Sequence, residues 1–163
     1  GVTLTSAGSG EEIAICRAEA ERLGVSERIT FLGQVARHEV EALYASHDAF
    51  CFPSFREPAG GVLYEAMRHG LPVITAARGG PDWIIDDRSG MRIPVTDPVR
   101  FPADIATAVR QLAGNKALHN RLGQAARAKV SQEGLWPNKA MRMVALYEEI
   151  QEYADRARFD TKG

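Results

Sequence analysis

Two glutamates eight positions apart, Glu57 and Glu65, carry the strongest chemical pattern in this sequence. Between them stand Pro58, Ala59, Gly60, Gly61, Val62, Leu63 and Tyr64. A proline disfavours the α region for the residue before it, so Glu57 is expected in a loop. Gly60 and Gly61 fall where the next helix should begin, and no acid follows in its first turn. The unpaired N–H groups of such a helix start are free to take an anion. Glu65 then lies about one turn further on, its side chain leaning back toward the N-terminus. A carboxylate accepts two charge-assisted hydrogen bonds from hydroxyls. Two carboxylates around a bare helix start therefore suit a ligand with a diphosphate at its centre and vicinal hydroxyls on either side. The same spacing equally allows Glu57 to cap the helix and Glu65 to be a solvated helix residue.

The elements that must position these groups follow from periodicity. Short apolar runs occur at Val2–Ala7, Ile29–Leu32, Ala49–Phe52, Val73–Thr75 and, more weakly, Met91–Ile93, each bounded by Gly, Pro or Ser. They predict buried parallel strands. Helical patterns lie between them: residues 11–23 with Gly24 as a stop, then Val40, Leu43, Tyr44 and His47 at helical spacing, then 61–69 closed by Gly70 and Pro72. His69 suits the negative end of that third helix. After Pro94, helices are predicted around Ile105–Leu112, over 117–130 and around Met143–Ile150, with a charged tail from Tyr153 that should fray. This alternation predicts an α/β fold, a Rossmann-like open parallel sheet with helices on both faces. Ligands of such sheets bind beyond the C-terminal ends of the strands.

The other loops at that end are less specific. Gly8-Ser9-Gly10 lacks the third glycine of a dinucleotide fingerprint, and Glu11 and Glu12 would compete with a phosphate there. Gly33-Gln34-Val35 reads as a turn in which Gly33 permits close backbone approach. Gly79-Gly80-Pro81 reads as a sharp turn facing the same cleft, with Arg78 either at a phosphate or in solvent.

Bulk properties narrow the classes. The chain has 163 residues, 45% hydrophobic and 25% charged, which fits one domain with a real core. Its formal net charge of −1 lacks the basic excess of a nucleic-acid binder. Cys16 and Cys51 lie far apart and read as buried thiols of a reducing compartment. His38, His47, His69 and His119 show no metal-ligand spacing, so no metal is expected. No run approaches the ~20 apolar residues of a membrane span, and no signal peptide opens the chain. The opening within a strand suggests a fragment of a longer protein, with residues 1–163 forming a single domain truncated at its N-terminus.

The ordered pieces Arg28–Gly33, Leu43-Tyr44, Asp48–Phe50, Pro53-Ser54, Glu57 with Glu65-Ala66-Met67, Gly70–Ile74, Gly79-Gly80, Ser89-Gly90, Ile93-Pro94 and Trp136 cover nearly the whole chain. In them the sequence resembles the retaining glycosyltransferases of family 4, specifically the C-terminal, donor-binding domain of their two-domain GT-B fold. The resemblance implies that Glu57 contacts the donor sugar in a catalytic role and that Glu65 binds the ribose. It implies that backbone around Gly60, Gly61 and Val62 meets the sugar and distal phosphate, that Gly33 and Val35 lie beside the base, and that Gly79 and Gly80 line the donor site. Two departures stand out: Pro58-Ala59 replace the usual Gly-Phe, and Trp83 occupies a place usually held by an acid, with Asp82 beside it.

The implied activity is transfer of a hexose from a UDP- or GDP-linked donor, with retention of configuration and without a cofactor or metal. The acceptor, a saccharide or glycolipid, would sit on an N-terminal domain outside this chain. One further strand and helix, with an Arg and a Lys for the diphosphate, would precede Gly1, so the fragment alone should not turn over. Polysaccharide biosynthesis in the cytoplasm, with peripheral association at the inner face of the membrane, is the setting this family suggests. The alternatives are a glycosidase- or phosphorylase-type sugar enzyme using the two carboxylates, a non-catalytic nucleotide-binding module, and a dinucleotide-dependent oxidoreductase, which the incomplete fingerprint disfavours.

Overall fold

The computed structural model describes residues 1–54 and 56–160. Five strands form where the apolar runs stand: β1 (Leu4–Ala7), β2 (Ile29–Gly33), β3 (Phe50–Phe52), β4 (Val73–Ala76) and β5 (Gly90–Ile93). The helices are α1 (Ile13–Arg22), α2 (Arg37–Ser46), α3 (Gly61–Arg68), α4 (Gly79–Ile84), α5 (Arg100–Gly114), α6 (Lys116–Lys129) and α7 (Trp136–Asp160). A single 3-10 turn, Ser26–Arg28, leads into β2, and a π-helical turn, Val130–Gly134, joins α6 to α7.

Every strand pairing is parallel. The strands nevertheless form two sheets, β1-β2 and β3-β4-β5, where the sequence predicts one. β1 and β3 are not bonded to each other, and no strand among the described residues lies between them. Side chains bridge the break instead. His47 Nδ1 donates to the Leu43 carbonyl at 2.7 Å, and its Nε2 is hydrogen-bonded to the Thr5 hydroxyl at 2.8 Å.

β4 is the centre of the three-stranded sheet and all four of its residues are buried. This explains its unbroken apolar run. Its one polar residue, Thr75, donates its hydroxyl to the Phe52 carbonyl at 2.8 Å. Val73 packs with Leu63 and Met67 of α3, Ile84, Ile85, Ala126 and Val130. Ile74 packs on the other face with Ile93, Ala108 and Leu112 of α5, and Leu122. Helices therefore cover both faces, as the patterning predicts. A third cluster, Tyr44, Ala66 and Leu71 with Val40 and Phe50, seats α2 against α3.

Several local expectations change. Gly79-Gly80-Pro81, read as a sharp turn, instead begins α4; Pro81 falls in its first turn, where a missing N–H costs nothing. His47 is the C-cap of α2 rather than part of it. α7 runs on to Asp160 instead of fraying from Tyr153, helped by the absence of any interior Gly or Pro beyond Pro137 and by an Arg156–Glu152 pair. Cys16 is exposed and Cys51 half-buried, rather than both buried. The reason is that α1 buries only Ala20, leaving Cys16, Ile15 and Leu23 on its open faces.

α6 approaches the turn after α3 so closely that only glycine fits. A Cβ on Gly123 would lie 2.3 Å from the Gly70 carbonyl oxygen. Gly123→Ala should therefore lower stability by about 1–3 kcal/mol through overpacking. Gly114→Ala, whose Cβ would meet nothing within 4 Å, should not; urea unfolding of the two variants checks this.

Candidate functional site

The chain leaves β3 at Phe52 and reaches α3 through residues 53–60. Glu57 turns back on the start of that helix. Its Oε1 accepts from the amides of Ala59 (2.9 Å) and Gly60 (2.8 Å). Gly60 is the N-cap, with φ +63°, a left-handed conformation natural to glycine. A Cβ there would also lie 3.0 Å from both Ile84 Cδ1 and Leu63 Cδ1. The first turn closes with the Leu63 amide donating to the Gly60 carbonyl at 2.9 Å. Among the described residues, no acceptor faces the next amides, those of Gly61 and Val62.

The helix mouth is thus half filled. The sequence expects Gly60, Gly61 and Val62 all to present backbone to a ligand; the Gly60 amide is committed to Glu57, and those of Gly61 and Val62 remain. Glu57 acts as the cap that its spacing allows. The Gly60 amide, and then the Ala59 amide, hold its carboxyl below the usual carboxylate range, so it is ionised at neutral pH with Oε2 left over.

The loop after β4 fixes this arrangement. The Gly80 amide donates to the Glu57 carbonyl at 2.9 Å. A Cβ on Gly80 would fall 2.6 Å from the Pro58 carbonyl oxygen, so the loop after β4 lies directly against Glu57-Pro58. Gly79, with φ +67°, begins α4 at this contact. The loop after β2 starts at Gly33, where φ is +68° and the space beside Cα is open. A register shift in the β1–β2 ladder, pairing Ser6 with Phe31 but Ala7 with Gly33, re-aims the chain just before this loop. The Gly33 carbonyl accepts from the Gly8 amide at 2.7 Å, latching the first loop to the second. Val35 is half-buried, and Arg78 is exposed.

Glu65 stands in α3, its side chain 39% exposed. Burial first, and then the charges of Glu65 and Glu41, push the Tyr44 phenol up to about 12, so Tyr44 stays neutral beside Glu65. On the far side Glu41 accepts from Arg68 Nη2 (2.8 Å) and His69 Nε2 (2.7 Å), a strut between α2 and the end of α3. Arg37, the first residue of α2, places Nη2 3.6 Å from Glu65 Oε1. Sequence patterning singled out neither Arg37 nor this strut, because contacts across two helices leave no mark in a periodicity. Trp83 is 90% exposed, and Asp82 beside it is paired with Arg92 at 3.2 Å rather than offered to the cleft.

Among the described residues no cluster of three or more His, Cys, Asp or Glu could hold a metal ion. No described helix is long and apolar enough to cross a membrane. Surface cavities of about 90 Å³ beside Arg17 and Phe31 and about 210 Å³ beside Asp86 and Lys129 are lined by neither glutamate.

Parallel strands with helices on both faces, and glycine-shaped loops gathered at their C-terminal ends around two glutamates, define a Rossmann-like domain of the GT-B class. Residues 1–129 match the model of the glycosyl transferases group 1, and the chain belongs to that family. The lipopolysaccharide core biosynthesis glycosyltransferase LpsE of Rhizobium meliloti is 32% identical over 125 residues, 76% of this chain and 35% of that protein. Sucrose-phosphate synthase from Thermosynechococcus elongatus superposes with a TM-score of 0.73 at 27% identity, over 93% of this chain and 39% of that one. Anabaena HepE, solved in complex with UDP-glucose, superposes with a TM-score of 0.60 at 25% identity, over 78% of this chain and 36% of that one. The chain thus spans little more than a third of these relatives.

Because the folded pKa of Glu57 lies below its unfolded value near 4.5, its contribution to stability is full above that pH and is lost as pH falls through the lower folded value. Glu57→Gln should flatten this part of the acid limb and speed hydrogen exchange at the Ala59 and Gly60 amides. Both are readable by NMR, and unchanged exchange would refute the capping contact.

Proposed function

We propose that this chain is the donor-binding half of a retaining glycosyltransferase, which transfers a hexose from a UDP- or GDP-linked sugar to a saccharide or glycolipid acceptor. The observation that carries the reading is the pair of unclaimed amides at Gly61 and Val62, flanked by Glu57 and Glu65. Backbone N–H groups at a helix start favour a diphosphate, and more so as charge develops on it when the glycosidic bond breaks. Glu65 receives the ribose hydroxyls. Glu57, pinned through Oε1, turns Oε2 to hydroxyls of the donor sugar. Gly33 and Val35 flank the base, and Gly79 and Gly80 close the sugar side. The acceptor oxygen bonds to the anomeric carbon on the face from which the diphosphate departs, and its proton passes to the departing phosphate oxygen.

The break between β1 and β3 supports a second part of the proposal. A parallel strand from a preceding segment, bearing the Arg and Lys expected there, fits between these two edges, and the acceptor domain precedes it. The donor reading draws support from HepE, crystallised with UDP-glucose, and from the biosynthetic names of the relatives. The setting proposed is the cytoplasm, at the inner face of the membrane. A hydrolytic pair of carboxylates is disfavoured by the Glu57 geometry, since Oε1 already holds two amides and the carboxyl is kept from protonation, whereas a general acid needs a raised pKa.

In the full-length enzyme, Glu65→Ala should weaken binding of the preferred nucleoside diphosphate by about ten- to a hundredfold, the scale of losing hydrogen bonds to a charged acceptor. Thermal shifts with UDP, GDP and ADP identify the base, because selective binding raises the midpoint. Calorimetric affinity unaffected by the substitution would overturn the role of Glu65.

A further inference from the structure

Resting on the reading of this cleft as a nucleoside-diphosphate site, we propose that Arg37 is a positioning residue, the counter-ion that lets Glu65 hold a ribose beside a diphosphate. Arg37 occupies an unfavourable place. It is the first residue of α2, at the positive end of a helix, where a cation is disfavoured. The nearby Glu39 carboxylate is already taken by the Ala36 amide at 2.7 Å. The side chain of Arg37 is 91% exposed and contributes nothing to the core. Its one ionic contact among the described residues is Glu65 Oε1, at 3.6 Å, too long for a hydrogen bond. An exposed pair of this kind adds little to folding, so stability does not account for its position.

Among the described residues Glu65 has no other cation in contact. Tyr44 beside it is neutral, and the nearby Arg68 and His69 side chains are hydrogen-bonded to Glu41. A ribose held by Glu65 carries its phosphates only a few ångströms away. As the cleft loses water, repulsion between carboxylate and diphosphate grows. A guanidinium hinged at the start of α2 offsets it. Its planar fork of donors can address a carboxylate oxygen and a phosphate oxygen together. Loose now, the Arg37–Glu65 contact becomes useful only when the phosphates arrive.

The test is calorimetry on the full-length enzyme with uridine, UMP and UDP, and with the guanosine series, at low and high salt. Arg37→Ala should weaken the diphosphate about five- to tenfold, the monophosphate less and the nucleoside not at all, a gradient set by ligand charge. The loss should shrink at high salt, be partly restored in Arg37→Lys, and diminish when Glu65 is already Ala. A structural role would weaken all three ligands alike, and that result, or an unchanged UDP affinity, overturns the proposal. Failure of the wild-type enzyme to bind any of the diphosphates overturns the donor-site reading itself, and this one with it.

Discussion

The carbonyl of Glu57 and the amide of Gly80 meet at 2.9 Å, and the site depends on that contact being possible. Two loops that follow neighbouring strands must lie backbone against backbone, with Pro58 pressed where a Cβ of residue 80 would be. Glycine at 80 is therefore a requirement of packing. Once the loops interlock, Glu57 has its direction fixed at the main chain. Its side chain then has only to fold back on the two amides ahead of it. The left-handed Gly60, wedged against Ile84 and Leu63, completes the bend, so α3 begins where its next amides face outward.

This arrangement gives one oxygen of the Glu57 carboxylate a structural task. A buried amide without an acceptor costs roughly 1–3 kcal/mol, and Gly60 is buried, so capping by Oε1 is a structural need. A group so held has little rotational freedom left, and Oε2 is consequently presented in one direction without further entropy cost on meeting a hydroxyl. Of the two roles its spacing allows, the geometry bears out the cap and leaves Oε2 without a partner among the described residues.

The sequence made the scaffold legible wherever burial imposes a period. β4 declares itself in Val73-Ile74-Thr75 because both its faces are covered, and α3 in the run ended by Gly70 and Pro72. It hid what depends on pairings between segments. Nothing in Gly79-Gly80-Pro81 distinguishes a turn from the first turn of a short helix, since the same residues serve both. Nothing in the β1 and β3 segments says that they fail to pair. The two glutamates stand out in the sequence because Pro58 and the paired glycines restrict local backbone, which is sequence-local chemistry. Arg37 and Glu41 were missed because their meaning comes from α3, more than twenty residues away along the chain.

α2 is the member that unites the two sheets across this cleft. Val40 and Tyr44 pack it on α3 and β3, Glu41 ties it to Arg68 and His69, and His47 reaches over the break to Thr5 of β1. The loop after β2, which holds Gly33 and Val35, is continuous with the start of this same helix. A shift of α2 would therefore move the loop after β2 and Arg37 together relative to Glu65. With no backbone ladder between β1 and β3, it is side-chain contacts along one helix that set the distance between the loop after β2 and the helix bearing Glu65.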